Sequence, residues 1–113
     1  MAVIATVRGL STYYKDDGVE RLEIRVQKPL PPELPVAEGQ RATVSLVIGG
    51  NSYEAGINAP PDNDYAWISP DLIDATGHGV KLARVLGSAG IEKNQQVALD
   101  VNSKTLTLRV DGV

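Results

Sequence analysis

The chain of 113 residues contains no cysteine and no phenylalanine, a single tryptophan and four tyrosines. Without thiols, disulfide staples, thiolate catalysis and every cysteine-based zinc site are excluded. Without phenylalanine, the core must be filled by Val, Leu, Ile and Ala, and β-branched side chains suit a pleated surface better than a helix. Long apolar runs are missing too: nothing approaches the roughly 18 residues of a membrane span. The segment Met1 to Arg8 meets its first charge too early for a signal peptide. These absences lead us to expect a cytoplasmic protein with no membrane association. Excess positive charge is also lacking. The net charge is −3, so there is no chain-wide basic footprint for nucleic acid.

What remains is an ordinary globular composition, 42% hydrophobic and 22% charged. At this length a single domain can bury roughly two thirds of its unfolded surface without metal or disulfides. No repeat or linker divides the chain, so residues 1–113 are expected to form one domain.

Residues Ala2 to Arg8 read as a strand, with Leu10 to Tyr14 as a short extension. Lys15-Asp16-Asp17-Gly18 is a turn, because Asp-Gly tolerates the positive φ of tight hairpins. Glu20 to Lys28 alternates, with Leu22, Ile24 and Val26 on one face and Arg21, Glu23, Arg25 and Gln27 on the other, as in a half-buried strand. Pro29-Leu30-Pro31-Pro32-Glu33-Leu34-Pro35 forbids helix and central strand. It reads as an extended crossover, with a proline-rich ligand as the alternative. Arg41 to Ile48 is the strongest strand, and Gly49-Gly50-Asn51-Ser52 turns it back into Ser52 to Asn58. After a loop through Asp62-Asn63-Asp64, Tyr65 to Ile68 forms another short strand.

Ser69-Pro70-Asp71 resembles a helix start, with Ser as cap and Pro at the first helical position. This predicts a short helix over Pro70 to Ala75, broken by Thr76-Gly77-His78-Gly79. A second helix is expected from Val80 to Ser88, with Leu82, Val85, Leu86 and Ala89 on its apolar face. Gln95 to Val101 and Lys104 to Val110 form a closing hairpin around Asn102-Ser103. Seven or eight evenly spaced strands with hairpin turns favour a mainly β fold: a small closed or partly open barrel with two short helices near residues 70–75 and 80–88.

The string Lys81 to Leu86, followed by Ala89 to Val101, resembles the AbrB/SpoVT-type half-barrel, in which a short helix leads into a closing hairpin. The stretch Val44 to Tyr53 is similar to a double-psi barrel group of bacterial proteins. The resemblance implies a DNA-binding barrel. Three departures bear on it. The family's proline is followed closely by an arginine, whereas Ser69-Pro70 here stands well ahead of Lys81 and Arg84. The family's Gly-Asp turn after the helix is replaced by Lys93-Asn94-Gln95. AbrB-type binders are also swapped dimers of shorter chains, whereas this chain is long enough to hold a whole barrel.

Charge is unevenly placed. Glu54, Asp62, Asp64, Asp71 and Asp74 occupy a stretch without Lys or Arg, whereas Lys81, Arg84, Lys93, Lys104 and Arg109 crowd the C-terminal third. Those five bases are the candidate contacts to the phosphates of double-stranded DNA. Alternatively, they are ordinary mixed surface charge. A helix-turn-helix reading of the two helices offers only Lys81, Arg84 and Ser88 toward bases.

Tyr65 and Trp67 alternate with Ala66 and Ile68, so one face of that strand is aromatic. It serves either as a surface for bases or a protein partner or as core. His78, between two glycines, lacks a sequence-adjacent nucleophile or second histidine, and reads as a turn residue. Asp62-Asn63-Asp64 lacks the Gly and distant Glu of a calcium loop. Gly49-Gly50 lies between strands and is a hairpin turn, with no phosphate loop around it. No catalytic set, metal site or cofactor site can be assembled. The readings are therefore a non-enzymatic DNA-binding module or a protein-interaction or oligomerisation domain.

Overall fold

A computed structural model describes residues 2–109, and the last residue of the expected final strand, Val110, lies outside them. Among the described residues there are nine strands and one helix: β1 (Ala2–Tyr13), β2 (Glu20–Gln27), β3 (Gln40–Ile48), β4 (Asn51–Ala59), β5 (Tyr65–Ile68), β6 (Asp71–Ile73), β7 (Gly79–Lys81), α1 (Leu82–Ser88), β8 (Gln96–Asn102) and β9 (Thr105–Arg109). Seven of the strands close on themselves in the order β3-β9-β8-β1-β2-β5-β4, and β4 pairs back to β3. The result is a mixed barrel in which only β3 and β9 run parallel, through Ser45, Leu46 and Val47 beside Thr105, Leu106 and Thr107. The hairpin β6–β7 hangs from β4 at Glu54↔Ile73.

The barrel follows from period-two burial. Val3, Ala5 and Val7 point inward on β1, and Ile24 and Val26 do so on β2. Val44, Leu46 and Ile48 on β3 and Ala55, Ile57 and Ala59 on β4 complete the same pattern. Each strand supplies small or branched side chains, so the interior fills without a phenylalanine. The β3–β4 turn is tighter than the four residues expected. Gly49 and Gly50 alone make it, with φ of 59° and 83°, because a two-residue hairpin loop of this kind needs positive φ at both positions. Likewise, Asn102 pairs with Thr105, so Ser103 and Lys104 form the last turn and Lys104 lies outside the strand. The proline-rich connector is the expected crossover. It carries Leu34 into the core at 5% exposure.

The helix expected over Pro70 to Ala75 does not form. Asp71 to Ile73 is strand β6, paired with β7 through Asp71↔Lys81, Leu72↔Val80 and Ile73↔Gly79. Leu72 alone points inward, while Asp71 and Ile73 face out, which is a strand period. The Pro70 carbonyl accepts from the Leu82 amide at 2.9 Å instead of opening a helical ladder. The expected break is a hairpin turn: the Asp74 amide donates to the His78 carbonyl at 2.8 Å, and Gly77 takes φ 87°.

The second helix begins at Leu82, not Val80, because Val80 and Lys81 are used in β7. It has seven residues and no side-chain cap. So short a helix is marginal by itself, and the burial of Leu82 and Leu86 against β2 holds it. No helix among the described residues is long and apolar enough to cross a membrane.

Candidate functional site

The five C-terminal bases do not form one open patch. Lys81 and Arg84 stand side by side where β7 meets α1, and both reach Asp17 in the β1–β2 turn. Lys81 Nζ is 2.8 Å and Arg84 Nη2 2.9 Å from Asp17 Oδ2, and Lys81 also meets Asp16 Oδ2 at 2.7 Å. Lys93, before β8, meets Glu20 Oε1 at 2.8 Å. This pair lies over Gly9, where a Cβ would collide with the Glu20 carboxylate and the Lys93 stem. Arg109 Nε meets Asp100 Oδ2 at 2.8 Å. Only Lys104, exposed in the β8–β9 turn, has no carboxylate partner among the described residues.

These contacts hold several carboxylates below their ordinary values. Asp16 is lowered chiefly by its hydrogen bond from Lys81. Asp17 is lowered by Lys81, then by the Val19 amide and Arg84, and Glu20 by Lys93. A depressed folded-state pKa contributes stability that is complete above the ordinary 3.8 of Asp and 4.5 of Glu and is lost as pH falls below them. The thermal midpoint is therefore expected to drop in acid below roughly pH 4. Asp17→Asn should flatten that drop, and an unchanged acid slope would show that the pairs carry no stability.

Beneath these pairs lies a tyrosine node. Tyr14 OH donates to Asp71 Oδ1 at 2.7 Å, with the Pro70 carbonyl at 3.2 Å. Lys81 Nζ stands 4.6 Å and the Arg21 guanidinium carbon 5.4 Å from the centre of its ring. Partial burial raises the Tyr14 phenol from 10.0 to about 12, with the hydrogen bond to Asp71 and that carboxylate's charge adding to it. Because the folded-state pKa is raised, this contribution is complete below pH 10 and is lost as pH rises toward 12. Following phenolate absorbance through an alkaline titration should reveal one late tyrosine that Tyr14→Phe removes.

A second face joins the expected aromatic pair, Tyr65 and Trp67, to residues that the spacing did not single out. On β5, Ala66 and Ile68 are fully buried, while Tyr65 and Trp67 stand half-buried on the outside. The tryptophan is therefore not core. Its ring centre is 5.8 Å from that of Tyr65, with 59° between the planes. β5 pairs with β2 so that Trp67 lies beside Arg25, and the Arg25 guanidinium stacks 4.3 Å above the Tyr65 ring. Arg25 Nε also donates to the Glu23 carboxylate, the buried charged side chain of the described residues, at 4% exposure. Toward β1 and β8 this face continues into a groove of about 470 Å³ that includes Ile4, Thr6, Arg8 and Gln96. The sequence pattern placed Arg25 on an outer face but carried no sign that β5 would lie beside it.

The β6–β7 turn brings His78 partners that lie two and four residues away. Thr76 Oγ1 lies 2.7 Å from Asp74 Oδ1 and 2.7 Å from His78 Nδ1. The carboxylate only accepts, so the single hydroxyl proton goes to Asp74, and His78 donates from Nδ1 to the oxygen. In that arrangement the imidazole is no base toward Thr76. Asp74 Oδ1 also accepts from the Thr76 and His78 amides at 2.9 and 3.0 Å, which fixes the turn. Among the described residues, no group of three or more His, Cys, Asp or Glu gathers where it could hold a metal ion.

Compared with protein-family models, with curated proteins and with solved structures, the chain matches none of them.

Proposed function

We propose that this barrel is a non-enzymatic binding module that holds a partner protein on the outer face of β8, β1, β2 and β5. The observation that carries the reading is the position of Tyr65 and the only tryptophan, Trp67, outside the barrel beside Arg25. Tyr, Trp and Arg are the residues on which interface energy concentrates, because each offers a large, stiff contact area and a polar handle. The test is site-specific photo-crosslinking in cytoplasm, with the probe at Gln96 beside the groove or at Thr107 on β9. Adducts to one protein from Gln96 and none from Thr107, lost with Tyr65→Ala and Trp67→Ala together, are the expected result. Equal adducts from both positions would remove the assignment.

A second reading, duplex DNA bound through Lys81, Arg84, Lys93, Lys104 and Arg109, is supported by Lys81 and Arg84 standing together at the start of α1. An AbrB-like or double-psi ancestry would also favour it, a reading supported by the short α1 that precedes the β8–β9 hairpin. Against it, phosphates must displace Asp16, Asp17, Glu20 and Asp100 from four of the five bases. Fluorescence anisotropy with a labelled duplex decides the matter. DNA binding predicts affinity that falls steeply with salt and falls further for Arg84→Ala with Lys104→Ala. No binding at low salt sinks it.

A further inference from the structure

The groove between β8, β1, β2 and β5 holds positive charge that no exposed carboxylate within it answers. Arg8 is exposed and makes no ion pair among the described residues. Arg25 spends its Nε on Glu23 and its ring-facing plane on Tyr65, which leaves its Nη groups for a ligand. Glu23, beside Arg25 on β2, is 4% exposed and lies beneath, and Asp100, on the outer side of β8, is paired with Arg109 outside the groove lining. The face thus has two guanidiniums over one buried carboxylate, with neutral Thr6 and Gln96 beside them.

Geometry narrows the ligand. Thr6 pairs with Arg25 and Arg8 with Glu23, so the two arginines are diagonal neighbours across β1 and β2. Diagonal positions lie roughly 7–8 Å apart. Side chains on one face of an extended chain repeat at roughly 7 Å, twice the rise per residue. Along β1, the exposed Ile4 offers an apolar contact next to this pair, at 46% exposure.

Resting on the partner-protein reading above, we infer that the groove takes an extended acidic segment of that partner. Carboxylates at alternate positions meet Arg8 and Arg25, and an aliphatic side chain covers Ile4. Single-stranded nucleic acid fits less well. One face of Tyr65 is already occupied by Arg25, and Trp67 is tilted by 59° against it, so the pair offers no parallel free platforms for successive bases.

Trp67 is the natural reporter, since its emission is the only tryptophan signal in the chain. Its fluorescence is titrated with a short peptide alternating Glu and Ser and ending in Val, with the same peptide carrying Gln for Glu, and with oligothymidine. Saturable change with the Glu peptide, weakened about tenfold or more by Gln substitution or by Arg8→Gln, supports the inference. Arg8→Gln is the decisive variant because Arg8 makes no ion pair among the described residues, whereas Arg25 is hydrogen-bonded to Glu23. Equal binding of the two peptides, indifference to Arg8→Gln, or tighter binding of oligothymidine overturns it. If both peptides fail while Gln96 still crosslinks a partner, the acidic-segment inference falls and the interface reading stands. If the Gln96 adducts are also missing, the interface reading falls with it.

Discussion

Arg25→Met is expected to lower folding stability by about 3 kcal/mol, a large part of the roughly 5–15 kcal/mol typical of such domains. The reason lies beneath the surface. Glu23 is 4% exposed and has Arg25 as its hydrogen-bonded charge partner. Met keeps an aliphatic stem but removes the guanidinium from above Tyr65 and strands the carboxylate, and an uncompensated buried charge costs far more than a lost surface pair. The figure belongs at the low end of the range because the Arg25 side chain remains 26% exposed. Glu23→Gln combined with Arg25→Met should recover much of the loss, since no charge is then left buried. Chemical denaturation of both single variants and the double variant checks this, and a double variant no better than Arg25→Met would show that Glu23 is not the cause. The same contact explains why Arg25 is a poorer probe of ligand binding than Arg8, which makes no ion pair among the described residues.

Leu46→Ala should cost a similar amount, about 3 kcal/mol, through lost apolar transfer and the cavity left behind. Leu46 is fully buried toward the end of β3, where Tyr53 of β4 and Leu106 of β9 flank it. This is where the parallel β3–β9 pair closes the barrel, so neighbours on two strands would have to move to fill the space. Thr43→Ala, on the outward face of the same strand, should stay within about 0.5 kcal/mol. Thermal unfolding of both variants tests the register itself, because a one-residue slip would exchange the two faces.

The two errors of secondary structure share one cause. Ser69-Pro70-Asp71 carries every local sign of a helix start, yet the segment offers only Leu72 to the interior. A helix of six residues with one buried side chain gains too little to form, whereas a strand joined to β4 at Ile73 and paired along its length with β7 satisfies its backbone. Val80 and Lys81 follow, because β6 requires a partner strand. Short segments are settled by what lies next to them, and that is absent from the linear pattern.

The candidate sites divide the same way. That Tyr65 and Trp67 share a face was legible from alternation, but which face was not. Ala66 and Ile68 took the interior, and an aromatic pair on the inside would have overfilled a barrel already lined by Ile24, Leu46, Ile57 and Leu99. The crowding of Lys81, Arg84, Lys93, Lys104 and Arg109 was visible in the sequence. Their partners were not, because Asp16, Asp17 and Glu20 lie more than sixty residues away, at separations up to 73.

By itself the sequence determined the seven barrel strands, three hairpins and the composition of the core. These rest on period-two burial and on turn residues, both of which act between near neighbours. Closure of β3 on β9, the pairing of β5 with β2, the fate of Pro70 to Lys81 and the neutralising partners of Lys81, Arg84 and Lys93 were decided only in three dimensions. Each depends on which distant segment arrives alongside, and that is fixed by the packing of the whole barrel.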